Sequence, residues 1–389
     1  MAYISSNNNR FYVALEEAYG QAATVVAANR IPAVKLAAKH HPEKIQRKDK
    51  TGTRTFLGDP TPLRNTTTFS LNTYMANWSD QSREPGYGAL FQACLGSAAM
   101  LSPGGALSST ADPSRVAFAG AHGLSPGQAI SVGDEIRFVM AVVDDRTVQL
   151  NAPLTVPAQA GVVSGPTATY KPATDLKSVT IYDRWDPAGA VQRLISGTAV
   201  NELKIHVNGD FHEFEFSGGA ADLIDSASFE SGQAGLTAFP AEPAVEPLNY
   251  SIIPGHLGQV WLGNHPDDFC TLTKAELIFN NDVDLRRHEF GCPLAMGITP
   301  GIRDVVFDFN IYQQDDAATQ ALYQAARQRS PVSIMLQLGQ RQGQLFGIYM
   351  KSVVLEVPEF DDAERRQQWQ FQNCRAQGGL DDEIFVAFG

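Results

Sequence analysis

Five consecutive residues, Asp49-Lys50-Thr51-Gly52-Thr53, spell the string that carries a phosphorylated aspartate in ion-pumping ATPases. That chemistry needs the aspartate at the carboxyl end of a buried parallel strand, with acidic loops for magnesium and with membrane helices. Here Asp49 follows "HHPEKIQRK", a charged run without buried-strand character. The Thr-Gly-Thr that follows is turn chemistry, because Gly52 takes positive φ at no steric cost. The stretch reads as a basic loop tip. Acidic pairs recur at 144–145, 267–268, 315–316, 361–362 and 381–382. Two carboxylates flanking one bond would suit glycoside hydrolysis, but these pairs sit in turns or at a helix start and read as solvated. "HPDD" at 265–268 lacks the ligand spacing of a calcium loop.

No nucleophile elbow, phosphate-binding loop, dinucleotide fingerprint or zinc-protease motif occurs. Cys94, Cys270, Cys292 and Cys374 are too far apart for a disulfide framework or a zinc site and read as free thiols. No catalytic, metal or cofactor residue is assigned, and the chain is not expected to be an enzyme. Its 389 residues, 43% hydrophobic, leave room for two or three domains. A net charge of −12 argues against gripping nucleic acid, whose phosphates need a basic surface. No run approaches the roughly 20 apolar residues of a membrane span. The opening "MAYISSNNNRFY" lacks the basic start and apolar centre of a signal peptide.

The elements that would position any site are repeated. "FSLNTY" (69–74) matches "FDFNIY" (307–312), with Phe, Asn and Tyr at one spacing and Leu71 against Phe309. Upstream lie "GDPTPLR" (58–64) and "GITPGIR" (297–303), and downstream "ALFQAC" (89–94) and "ALYQAA" (321–326). Three matches in one order predict an internal duplication. Each half reads as a strand (33–39; 271–279), a long loop (40–65; 280–301), an alternating strand (66–75; 304–313), a short helix and closing β segments. In the second helix Asp315 and Asp316 start the run, arginines end it, and Ala318, Leu322 and Ala325 form an apolar stripe.

"NELKIHVNGDFHEFEF" predicts a hairpin with a type I′ turn at Asn208-Gly209. Leu203, Ile205, Val207, His212, Phe214 and Phe216 then share one face. Glu202, Lys204, His206, Glu213 and Glu215 share the other, with Lys204 opposite Glu213. His206 and His212 fall on opposite faces and are poor partners for a metal. Residues 102–170 have no counterpart in the second half and read as a small β-barrel-like insertion, with a ligand-binding module as the alternative. Residues 217–250 read as a connector.

This pattern resembles the tail-tube proteins of long-tailed bacteriophages. The residues carrying the resemblance are "TGTRTFLGDPTPLRNTTTFSLNTY", "GALFQACLG" and "SGTAVNELKIHVNGDFHEFEFSG", then "GITPGIRDVVFDFNIY", "ALYQAA" and "DDEIFVAF". The resemblance implies a mainly β, α+β chain with two tandem β-sandwich tube domains, each flanked by a helix. The first domain would take 1–101 and 171–216, the second 251–389, with 102–170 as an all-β insertion and 217–250 as linker. It implies a virion structural protein, assembled in the host cytoplasm, that forms stacked rings with a lumen for DNA ejection.

Because the unit is present twice, three chains would supply six units of a pseudo-sixfold ring, with a hexameric ring as second choice. The implied partners are further copies, the tape measure, terminator and distal tail proteins, and DNA passing without specific binding. Glu202, Glu213 and Glu215 are the candidates for an acidic lumen wall, where lysines would create sticking points for phosphate. Arg47, Lys48, Lys50 and Arg54 on one long loop, and Arg286 and Arg287 on the other, are candidate contacts between rings. A terminator or distal tail protein is the alternative in the same biology. A carbohydrate-binding tail β-sandwich is the alternative from another class, although Trp78, Trp185, Trp261 and Trp369 are scattered.

Overall fold

The computed structural model describes residues 3–45, 48–56, 58, 63–245, 247–248, 250–263, 269, 271–363 and 365–389. Arg47, the 265–268 stretch and Cys270 lie outside them. The chain is mainly β, with two short α-helices among the described residues. The first part lays down β1 (Asn9–Leu15), β2 (Arg30–Ile31), β3 (Ala33–Pro42), β4 (Asn65–Tyr74), α1 (Gly88–Leu95) and β5 (Met100–Ser102). An insertion follows, with β6 (Leu107–Ser108), β7 (Arg115–Phe118), β8 (Ala129–Val132), β9 (Glu135–Val142) and β10 (Thr147–Leu150). These five form their own sheet in the order β6-β7-β10-β9-β8.

The chain returns through β11 (Thr167–Tyr170), β12 (Val179–Trp185), β13 (Arg193–Val207), β14 (Glu213–Ala220) and β15 (Asp222–Asp225). The second part begins with β16 (Gly258–Leu262), β17 (Leu272–Asn280), the two-residue pair β18 (Asp284–Leu285) and β19 (Ile298–Thr299), and β20 (Asp304–Tyr312). It ends with α2 (Ala317–Gln328), β21 (Val332–Leu338), β22 (Phe346–Val354), β23 (Glu359–Asp361), β24 (Gln368–Ala376) and β25 (Phe385–Phe388).

One antiparallel ladder crosses the whole molecule in the order β3-β4-β14-β13-β17-β20-β24-β23. Its strands alternate with period two, so one face is apolar and one polar. Phe69, Leu71, Phe214, Phe216, Leu277, Phe279, Phe307 and Phe309 are buried on the apolar face. Phe309 stacks on Phe371 with ring centroids 4.6 Å apart, a cross-strand pair that helps fix register. A second layer covers this face. It comprises β2-β1-β12 with the first half of β13, and β5-β11-β25-β22-β21-β16.

The two halves of the ladder share a hydrogen-bond register. Leu71 pairs with Leu36 on one side and Phe216 on the other, while Phe309 pairs with Ala275 and Phe371. Lys35 pairs with Asn72 and Lys274 with Asn310. Both ladders slip by one residue at the same place, between Ala33 and Lys35 and between Leu272 and Lys274. A shared bulge is a specific feature, because each one re-aims a strand.

Several expectations need correction. α1 does not flank a sandwich but lies between the two layers, with nearly every residue buried. Phe91 packs its ring against Phe214 and Phe216 below and Tyr170, Phe346 and Phe388 above. The low amphipathicity of "GALFQACL" follows from that position, since a helix covered all round is apolar all round. In α2 the buried stripe is Thr319, Leu322 and Ala326 rather than 318, 322 and 325. Asp316 caps the helix, accepting from the Thr319 amide at 2.8 Å. β11, expected inside the insertion, pairs with β25 in the second layer. The 217–250 segment is no free linker: it completes β14, forms β15, and then packs Phe229, Leu236 and Phe239 beside Tyr12, Tyr182 and Leu194.

Candidate functional site

The polar face of the long ladder carries the charged residues singled out from sequence. The β13–β14 connection is a five-residue loop, 208–212, rather than a type I′ turn, with Asn208 at φ 64° and Gly209 outside the left-handed region. The loop is held from outside, since the Asn208 amide donates to the Thr273 carbonyl at 2.6 Å and Phe211 bridges Pro254. Register therefore shifts by two. Lys204 lies opposite Glu215, and His206 opposite Glu213. A shift of two leaves every side chain on its own face, so the expected sorting of faces stands.

Three rows cross this face. Tyr74, Glu213, His206, Glu276 and Asp308 form one; Asn72, Glu215, Lys204 and Ile278 form the next; Ser70, Ser217, Glu202, Asn280 and Asp304 form the third. Glu202 pairs with Lys204 at 3.2 Å, and Ser70 Oγ donates to Glu215 at 3.3 Å. Burial pulls the Lys204 ammonium down, but the Glu202 hydrogen bond and the charges of Glu202, Glu215 and Glu276 outweigh it and hold it above its ordinary value. Asp308 is pushed up, first by burial and then by Glu276 opposite, against the pull of the Asn373 amide that donates to it. The face is a mixed field with an acidic excess. Glu202, Glu213, Glu215, Glu276, Asp304 and Asp308 stand against Lys35, Lys39, Lys204, Lys274 and Arg375.

Both long loops leave the same end of the ladder, where Pro42 pairs with Asn65 and Asn280 with Asp304. Lys48, Lys50 and Arg54 are exposed on the first. On the second, Arg286 pairs with Glu289 at 3.3 Å and donates to the Met296 carbonyl. Arg287 is half-buried and donates to Thr66 Oγ1 at 3.1 Å, so it ties its loop to β4.

What sequence reasoning did not find is the seam and the two open edges. β13, at the edge of the first four ladder strands, pairs with β17, at the edge of the last four, from Glu202↔Asn280 to Val207↔Ala275. β3 pairs only with β4, and β23 only with β24, among the described residues. Neither strand is purely polar, because Val34 on β3 and Phe360 on β23 are 51% and 57% exposed. Among the described residues no group of three or more His, Cys, Asp or Glu is placed to hold a metal. No helix among the described residues is long and apolar enough to cross a membrane. Burial pushes the Cys94 thiol far up and the Cys374 thiol up to about 12, which makes both poor nucleophiles. No family model matches the chain, and no curated protein matches it.

Proposed function

We propose that the chain is a structural wall segment of a phage tail tube, in which copies join edge to edge into a ring and rings stack around a passage for DNA. The observation that carries this reading is the β13–β17 seam. Inside one polypeptide, the edge strand of the first half of the ladder already pairs with the edge strand of the second half. The same operation applied once more sets the β23 edge of one copy against the β3 edge of another, a β-augmentation in which main-chain hydrogen bonds supply affinity. A head-to-tail contact of this kind closes into a ring when its rotation divides a full turn. Closure also removes the exposed edges that invite aggregation. Three copies then present six repeats, with six copies as the second arrangement. The acidic excess of the polar face suits a lumen that repels phosphate, and the natural partners are the other tail proteins of a virion.

The seam gives the register. By the shared pairings, Phe360 takes the place of Ile205 and Glu359 that of Lys204, while Ala38 and Lys39 take the places of Leu277 and Ile278. Glu359 of one copy is thus set opposite Lys39 of the next. Glu359→Lys alone and Lys39→Glu alone should each abolish rings in negative-stain images, and the double swap should restore them. Monomers from the wild-type chain at every concentration would end the reading. The glycan-binding alternative loses its platform, since Trp78, Trp261 and Trp369 are buried in the core.

A further inference from the structure

Opposite the long loops, the ladder ends in two hollows. One, of about 240 Å³, lies where β3 begins and β4 ends, walled by Pro32, Trp78, Tyr87 and Tyr250. The other, of about 220 Å³, lies at the β13–β14 loop, walled by Leu257, Val260, Leu272 and Leu338, with His212 beside them. At the loop end, each long loop carries a phenylalanine that packs against little of its own chain. Phe290 is 104% exposed and Phe56 is 76% exposed. One plug therefore stands at one end of each repeat and one hollow of similar size at the other. We propose that the plugs of one copy seat in the hollows of a second copy stacked above it, so that rings are held by buried aromatic rings as well as by charge.

Three further observations bear on this occupant. A fully exposed phenylalanine forgoes the stabilisation that burial of its apolar surface provides. Both ends carry exposed charges of both signs, Lys48, Lys50, Arg54 and Arg286 with Asp49, Asp284 and Glu289 at the plug end, and Asp210, Asp315 and Asp362 with Arg83, Arg365 and Arg366 at the hollow end, so ion pairs can form across the contact. The third is His212, which is 1% exposed and holds its Nε2 3.0 Å from the Leu257 carbonyl. A carbonyl only accepts, so Nε2 carries the proton and Nδ1 offers a lone pair that meets no donor among the described residues. That atom is closed off from solvent, so a backbone N–H of the loop tip reaches it only if the hollow widens as the tip seats. The contact joins unlike surfaces along the strand direction, which builds an open stack rather than a closed pair.

The inference rests on the tube reading, and its test separates the two. Full-length chain with Phe290→p-benzoylphenylalanine, mixed with isotope-labelled copies, is irradiated under assembling conditions and its crosslinks are mapped. The expected product joins position 290 of one copy to a peptide lining either hollow of another. Phe56→Ser with Phe290→Ser should keep the thermal midpoint of the wild type. It should also cut stacking at least about tenfold, since a decade of affinity takes only ~1.4 kcal/mol. Rings that stack normally in the double variant, or crosslinks confined to the same copy, would overturn the docking and leave the tube reading intact. Crosslinks into a hollow from open fibres that contain no rings would support the docking and sink ring closure.

Discussion

The two repeats share an inner ladder and differ in what covers them outside. Over the first part lies the strap after β15, with Phe229, Leu236 and Phe239 set beside Tyr12, Tyr182, Leu194 and Ile224. Over the second lies the insertion, with Ile136 and Phe138 of β9 packed beside Trp261, Met335, Tyr349 and Phe385. Each cover is pinned by a buried guanidinium, the side chain with five donors in one plane. Arg184 lies 5.0 Å over the Tyr182 ring and 5.1 Å over Phe239, and donates to the Pro240 carbonyl at 2.7 Å. Arg137 sits 4.0 Å over Trp261 and donates to Gln337 at 2.8 Å, Glu135 at 2.6 Å and the Pro153 carbonyl at 3.0 Å. The shared ladder must keep its pairing, because a slipped register would break its hydrogen bonds and its buried rows. The outer face needs only to be covered, and an inserted sheet and an irregular strap both do so.

The covers differ in depth, and that difference is measurable. Phe138→Ala and Arg137→Ala should each cost about 3–5 kcal/mol, the first by leaving a cavity and the second by leaving Glu135 and Gln337 without their shared donor. On the strap, Phe239→Ala should cost about 1–3 kcal/mol, because its ring is only partly buried and water can refill the site. Equal losses in denaturant unfolding would erase the comparison. Gly347→Ala should cost about as much as Phe239→Ala, about 1–3 kcal/mol, since an added methyl would come within 2.9 Å of the Phe138 ring. The same change paired with Phe138→Leu should recover part of that loss.

The smallest expected effect is one of pH. Burial raises Glu242, but hydrogen bonds from Arg10 and Tyr12 outweigh it and hold the carboxyl below the usual glutamate value. The unfolded chain therefore takes up the proton first. The contribution of Glu242 to strap docking is whole above the unfolded pKa and drains as pH falls through the folded one. Cleavage by pepsin within 226–245 should rise as pH drops through that window, and Glu242→Gln should show the fast rate throughout. A strap no more sensitive than the insertion would remove this distinction.

Local sequence determined the faces, the repeat and the caps. Period-two alternation placed Glu202, Glu213 and Glu215 on one side of the ladder and Phe214 and Phe216 on the other, and an error of two in register left that sorting intact. The Phe-x-x-Asn-x-Tyr blocks marked β4 and β20 as equivalents because both must present the same core residues and the same bulge partner. Asp316 announced its helix because a cap acts within one turn. Tertiary structure alone decided that β13 meets β17, that α1 is enclosed, that Arg287 ties its own loop to β4, and that β3 and β23 are left open. Those outcomes depend on which edges and surfaces come together across hundreds of residues, and side-chain periodicity carries information about a strand's faces but none about its neighbours.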